Sequence, residues 1–205
     1  MSVKVKICGI TNPADANAAV AAGADMLGFM FHDSSPRCVT PEAAASIIAQ
    51  LPPFVVKVGV FVDAAPERVS RAIQVCGLNL LQFHGNESPS FCLQFGVMTV
   101  KAFRMRDAAV LKALPEYATD AWLLDAYVPG QPGGTGSTFN WDLAVEANQL
   151  GRPIFLAGGL TPGNVGNAIR KVHPYAVDVS SGVESAPGRK NHEALRAFVR
   201  AAKSG

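Results

Sequence analysis

The stretch Ile154-Phe155-Leu156-Ala157-Gly158-Gly159-Leu160-Thr161-Pro162, followed by Ala176-Val177-Asp178-Val179-Ser180-Ser181-Gly182-Val183-Glu184-Ser185, decides how this chain is read. Each half is a short apolar strand that ends in bare backbone. In the first, Thr161-Pro162 should then open a helix. Glycine at a strand's end lets backbone N–H groups approach an anion, and a following helix start adds partial positive charge. Glycine is also simply common in strand-to-helix turns, so one such turn says little. Two in succession near the end of a chain match the phosphate grip that a (β/α)8 barrel builds from the loops after strands 7 and 8.

Working outward from that stretch, short apolar runs recur about every 25 residues, each followed by a helical pattern. The alternation predicts strands over Val3–Cys8, Met26–Phe31, Val55–Phe61, Leu78–Phe83, Met98–Phe103, Trp122–Asp125, Ile154–Ala157 and Ala176–Ser180. Evenly interleaved strands and helices imply parallel βα units. Eight of them predict an α/β fold, a single-domain (β/α)8 TIM barrel over residues 1–205 with its phosphate site at the C-terminal end of the chain. The helix starts agree. Asn12-Pro13, Thr40-Pro41, Ala65-Pro66, Ser88-Pro89 and Thr161-Pro162 put proline at the first helical position, mostly behind a capping side chain. Helices are expected over Ala14–Ala22, Ala43–Leu51 and Val165–Val172. A doubly wound open sheet is the competing layout, but no GxGxxG follows the first strand.

Composition narrows the function classes. The 205 residues are 49% hydrophobic and 17% charged, enough for a large core and unlike a disordered chain. A net charge of +2 with no Lys/Arg run gives no nucleic-acid footprint. No apolar run approaches a membrane span, since Lys57 already interrupts Phe54–Val62. The opening Met1-Ser2-Val3-Lys4-Val5-Lys6 alternates charge with valine and does not read as a signal peptide. Cys8, Cys38, Cys76 and Cys92 form no CxxC pair and lie near no histidine cluster, which argues against zinc and against a disulfide framework. The expectation is a cytoplasmic protein that contacts neither nucleic acid nor membrane.

Side-chain alternation selects candidate chemistry. In strand 1, Val3, Val5 and Ile7 share the face toward the helices, so Lys4, Lys6 and Cys8 point inward. Asp125 ends strand 6 at the same rim, and strand 8 turns Asp178 and Ser180 inward. Strand 8 closes against strand 1, making Lys6 and Asp178 interior partners, a structural or positioning pair. A cysteine facing an aspartate across a barrel mouth suits proton shuttling, because nearby positive charge tunes a thiol toward a base and an apolar site keeps a carboxyl protonated. Each has a plainer alternative: Cys8 as a small buried apolar group, Asp125 as a loop-capping carboxylate. His84, inward with Gln82, either lines the pocket or donates to a backbone carbonyl. His32 and Asp33 read as loop polar groups. Lys101, placed at the end of strand 5, is the candidate for positive potential near a thiolate. The segment from Tyr127 to Asn140, long and glycine-rich, fails as a P-loop because Thr135 stands where the second glycine should be. It reads either as a lid over the site or as a connector.

These residues resemble a known family. Lys6-Ile7-Cys8-Gly9-Ile10-Thr11, Ser35-Pro36-Arg37, Gln82-Phe83-His84-Gly85, Leu124-Asp125, Gly133-Gly134-Thr135-Gly136, Ala157-Gly158-Gly159-Leu160 and Val177-Asp178-Val179-Ser180-Ser181-Gly182-Val183-Glu184 resemble the phosphoribosylanthranilate isomerases, in the family's order and over nearly the whole chain. The resemblance implies an aldose–ketose isomerase of tryptophan biosynthesis that performs an Amadori rearrangement. It implies Asp125 as general acid and Cys8, as thiolate, as general base. Arg37 would hold the anthranilate carboxylate as a bidentate partner. Gly158, Gly159, Ser181 and Gly182 would hold the phosphate, with His84 and Asp178 in the substrate pocket. The partner implied is a small phosphorylated aminosugar, with the protein a monomer or homodimer. No metal or organic cofactor is implied, because the substrate nitrogen serves as electron sink. Phe83, Ser137 and Asn140 depart from the family's usual residues. Two other functions compete. A histidine-pathway aminoaldose isomerase would be expected to use two aspartates, against which Cys8 speaks. A non-catalytic phosphate-binding barrel would not need Cys8, Asp125 and Arg37 together.

Overall fold

A computed structural model describes residues 2–126 and 140–204. Eight parallel strands close into a barrel: β1 (Lys4–Cys8), β2 (Met26–Met30), β3 (Val56–Phe61), β4 (Leu80–Phe83), β5 (Met98–Met105), β6 (Ala121–Ala126), β7 (Ile154–Leu156) and β8 (Ala176–Val179), with β8 pairing back onto β1. The expected (β/α)8 architecture is therefore present. Helices α1 (Pro13–Ala22), α2 (Pro41–Ile48), α3 (Pro66–Cys76), α4 (Pro89–Leu93), α5 (Trp141–Asn148), α6 (Val165–Val172) and α7 (His192–Lys203) cover the outside.

The first four helices start with proline at their first turn, as expected, and Asn12, Thr40 and Ser88 accept a backbone N–H as caps. α6 spans Val165–Val172, as expected, but Thr161-Pro162 does not open it directly. The reason is Asn164, whose side chain accepts from Thr161 N and donates to Gly159 O, holding an extra turn ahead of the helix. The connection from β5 to β6 also departs from expectation, with two 3₁₀ turns, Ala108–Lys112 and Leu114–Glu116, in place of an α-helix. Asn140, one of the unusual residues, caps α5 by accepting from Asp142 N. Of the segment Tyr127 to Asn140, expected as a lid or a connector, residues 127–139, Ser137 among them, lie outside the described residues.

Two apolar layers follow from the alternation. Met26, Val58, Leu80, Val100, Leu123 and Phe155 fill the barrel's interior. Ile7, Phe29, Phe61, Phe83, Trp122 and Val177 face the helices, and Phe83 packs against Phe61, Phe91 and Phe95. Above the inner apolar layer the interior turns polar, at Lys6, Gln82 and Asp178. Among the described residues no helix is long and apolar enough to cross a membrane.

Candidate active site

Where the strands end, their inward side chains surround a cavity of about 400 Å³. Cys8, Arg37, His84, Asp125, Gly158, Gly159, Asp178, Ser181 and Gly182 all line it, joined by His32, Ser180 and Leu160. All nine residues singled out from the sequence thus meet in one place. Parity brings them there: β1 carries Lys6 and Cys8 inward, β6 carries Asp125, and the register Lys6↔Asp178 sets β8 beside β1.

The glycines occupy positions that side chains cannot. Gly158 and Gly159 have φ of +82° and +63°, in the left-handed region. A Cβ on Gly158 would meet Ala126 N at 2.4 Å, beside the Asp125 backbone, and one on Gly182 would meet the Leu160 carbonyl oxygen at 1.9 Å. The turn after β8 therefore packs against the backbone of the turn after β7, and both line the cavity.

Asp125 is buried and its Oδ1 accepts from Ala126 N at 2.9 Å. Its other oxygen lies 3.3 Å from His84 Nε2, within ion-pair reach but off the line a hydrogen bond needs, so Nε2 is buried with no hydrogen-bond partner. His84 Nδ1 sits 3.2 Å from Gln82 Nε2. As that amide is oriented it donates, leaving the ring proton on Nε2 facing Asp125. Of the two readings of His84, pocket lining is the one realised.

Across the cavity, burial pushes the Cys8 thiol above the ordinary range; Lys6 draws it back, Asp178 pushes upward, and Lys190 adds a weaker downward pull. The expected positive charge is present, but burial outweighs it, so the thiol form is favoured near neutrality. Lys101 does not supply that charge. β5 extends to Met105, which makes Lys101 a mid-strand residue in register with outward Phe83, and its ammonium binds Glu87, Phe83 O and Gly85 O outside the barrel.

Arg37 lines the cavity with part of its guanidinium already engaged. Its Nε and Nη2 already grip Glu184, at 2.9 and 2.7 Å, so that edge of the guanidinium is filled and a substrate carboxylate would take the edge formed by the two terminal nitrogens. Glu184 in turn accepts from Lys190 Nζ at 2.7 Å, while Lys190 donates to Cys8 O at 2.6 Å and Ser180 O at 3.3 Å. Glu184 and Lys190 come from a two-stranded hairpin, β9 (Glu184–Ala186) with β10 (Arg189–Lys190), that reaches back over the rim. Sequence reasoning gave Lys190 no part at all. Its signal was faint: one lysine in a Pro-Gly-Arg-Lys turn. Asp33 has a surface role, paired with Arg68, whereas His32 faces the cavity.

A closed eight-stranded barrel with paired glycine turns, a thiol and a carboxyl around one cavity at the C-terminal ends of its strands defines the class of (β/α)8 barrels that carry their sites at that face. Comparison with known proteins is specific beyond that. The sequence model of the family described as N-(5'phosphoribosyl)anthranilate (PRA) isomerase matches residues 5–201. The chain is 58% identical over 200 residues to the N-(5'-phosphoribosyl)anthranilate isomerase of Geobacter sp. (strain M21), and 56% identical over 201 residues to that of Trichlorobacter lovleyi, covering 98% of each partner in both comparisons. The crystal structure of phosphoribosyl anthranilate isomerase from Thermotoga maritima superimposes with a TM-score of 0.94 at 41% identity, covering 99% of this chain and 100% of that one. Another isomerase structure, in complex with reduced 1-(o-carboxyphenylamino)-1-deoxyribulose 5-phosphate, matches with a TM-score of 0.90 at 39% identity, covering 99% and 100%. The chain belongs to the N-(5'-phosphoribosyl)anthranilate isomerase family.

Proposed function

We propose that the chain converts N-(5-phosphoribosyl)anthranilate to 1-(2-carboxyphenylamino)-1-deoxyribulose 5-phosphate in tryptophan biosynthesis, with Asp125 as acid and Cys8 as base. The backbone of Gly158, Gly159, Ser181 and Gly182 anchors the phosphate, and the open edge of Arg37 receives the anthranilate carboxylate. The furanose then lies between Asp125 and Cys8. Asp125 gives its proton to the ring oxygen, the C1–O bond breaks, and C1 becomes a protonated Schiff base of the substrate nitrogen. His84 Nε2–H faces the carboxylate that remains. The iminium makes the C2 proton acidic, and Cys8 in its thiolate form removes it to give the enolamine. Protonation at C1 and loss of the hydroxyl proton at C2 complete the ketone, so no atom or electron is gained or lost. Because burial disfavours the thiolate, only a minor fraction of Cys8 is basic near pH 7, and the reaction leans on the acidity the iminium confers.

One observation carries this reading: Cys8 and Asp125 line the same 400 Å³ cavity as the two glycine turns and Arg37. The test follows the substrate's fluorescence, which is lost on turnover. Wild type should consume it, while Cys8→Ala and Asp125→Ala should each lose roughly 10²–10⁴-fold in kcat. Absence of turnover by wild type ends the functional proposal. Undiminished rates in both variants end the assignment of roles.

A further inference from the structure

The barrel interior holds a charged side chain that the reaction as drawn does not use. Lys6 is completely buried, and its ammonium bonds Asp178 Oδ1 at 2.9 Å. Buried ion pairs seldom stabilise a fold more than apolar residues of the same volume. The layer immediately below is built from such residues, Met26, Val58, Leu80 and Leu123 among them. Something other than packing therefore accounts for Lys6.

The space opposite Cys8 shows what it faces. Gly28 on β2 is the register partner of Cys8. A Cβ added to Gly28 would meet Cys8 Sγ at 2.8 Å and Lys6 Nζ at 3.2 Å. Sulfur and ammonium converge on that one point and so lie within 6.0 Å of each other, the sum of those two distances. The second buried ammonium, Lys190, is spent elsewhere, since its three N–H groups are directed to Cys8 O, Ser180 O and Glu184 Oε1. Lys6 has one carboxylate partner and N–H groups left over for the sulfur.

We propose that Lys6, held in place by Asp178, is the positioning residue that stabilises the Cys8 thiolate across the gap kept open by Gly28. This rests on the reading of Cys8 as the base. The charged groups around the sulfur are Lys6 on its own strand, Asp178 from β8, Lys190 from β10 and Arg37 ahead of α2; β2 contributes none. Lys6 and Asp178 act in opposite directions, Lys6 favouring the thiolate and Asp178 opposing it. A purely structural pair would not separate them in this way.

The experiment measures iodoacetamide labelling of Cys8, followed on its own peptide by mass spectrometry, from pH 7 to 11 and without substrate. Asp178→Asn should shift the labelling profile to lower pH than wild type. Adding Lys6→Met to it removes the ion pair whole, and should shift the profile back up by about one pH unit or more, a tenfold slower labelling at fixed pH. Gly28→Ala, which wedges a methyl between the two groups, should also slow labelling. Coincident profiles for Asp178→Asn and the double variant overturn the proposal. Should the double variant fail to fold, unchanged labelling in Gly28→Ala overturns it. Labelling needs no turnover, so an active Cys8→Ala variant would remove the base reading while leaving the Lys6–Cys8 coupling to stand or fall separately.

Discussion

Replacing Gly182 by alanine should disable the phosphate grip for a reason that is steric alone. The φ of Gly182 is not in the left-handed region, so alanine is conformationally permitted there. The new Cβ, however, would sit 1.9 Å from the Leu160 carbonyl oxygen and 3.2 Å from Val179 Cγ2. Leu160 is backbone of the β7–α6 turn and cannot swing aside as a side chain tip would. Ordinary contact begins near 3.4 Å, so the two turns must part by about 1.5 Å, the difference between 3.4 and 1.9 Å. Overpacking of this kind costs about 1–3 kcal/mol of stability. The larger effect is on binding, because hydrogen bonds of about 2.7–3.2 Å do not survive a stretch of that size. Losing two N–H contacts to a charged phosphate, each worth about 1.5–3 kcal/mol, removes at least ~3 kcal/mol, or roughly a hundredfold in affinity. Inorganic phosphate binding by calorimetry, KM for the substrate and a urea melt measure the two parts separately. A stable Gly182→Ala protein with wild-type KM and wild-type phosphate affinity would refute the assignment of these turns as the grip. Gly158→Ala gives the contrast. Its Cβ would press on Ala126 N, next to Asp125, and should therefore lower kcat as well as raise KM.

Three further outcomes follow. Glu184→Gln leaves Arg37 and Lys190 without their buried counter-charge; KM should rise at least about tenfold and stability should fall by about 3–5 kcal/mol, and an unchanged KM would show that the clamp does not orient Arg37. Burial alone would raise the Glu184 carboxyl, but Arg37 and Lys190 hold it below its ordinary value of 4.5, so its contribution is present above that pH and is lost as pH falls through the depressed value; the Gln variant's stability should fall less than wild type's on acidification below pH 4.5, and parallel acid titrations would contradict this. Lys101→Met strands Glu87, whose carboxylate otherwise holds the Asp63 and Gly85 amides, and should lower the urea stability by about 3–5 kcal/mol while leaving kcat of the folded enzyme within twofold; a loss of kcat without loss of stability would return Lys101 to the site.

The parts of the site legible in the sequence were those that strand parity alone determines. Lys6, Cys8, Asp125 and Asp178 face inward because their strands alternate, and the Lys6–Asp178 pairing follows once β8 is set against β1. Proline at four helix starts marked the boundaries for the same local reason. Lys101 shows parity that was there to be used: it lies between inward Val100 and Ala102 and in register with outward Phe83, so alternation turns the lysine to the helix side wherever the strand ends. Thr161-Pro162 forms a turn ahead of α6 rather than its first residues because one side chain, Asn164, bonds across it, a contact between positions no periodicity connects.

The Glu184–Lys190 hairpin lies beyond such reading altogether. Its two strands are three and two residues long, too short for a pattern, and Lys190 meets Cys8 from 182 residues away. Yet this hairpin decides which edge of Arg37 is open and helps set the charge around the thiol. Counting the buried groups explains why it is needed. Lys6 is matched by Asp178, but Arg37 and Lys190 share the single carboxylate of Glu184, which leaves that cluster one positive charge in excess. A Cys8 thiolate or a substrate carboxylate neutralises that excess, but one of them does not leave charge for the other. Binding the carboxylate at Arg37 should therefore push the Cys8 thiol further up, and it falls to Lys6, whose ammonium lies within 6.0 Å of the sulfur, the sum of 2.8 and 3.2 Å, to keep the base accessible. Labelling of Cys8 with and without anthranilate measures this directly: anthranilate should slow it at fixed pH in an Asp125→Asn background where no chemistry occurs, and labelling that is unaffected at saturating anthranilate would show that the two anions do not share one charge.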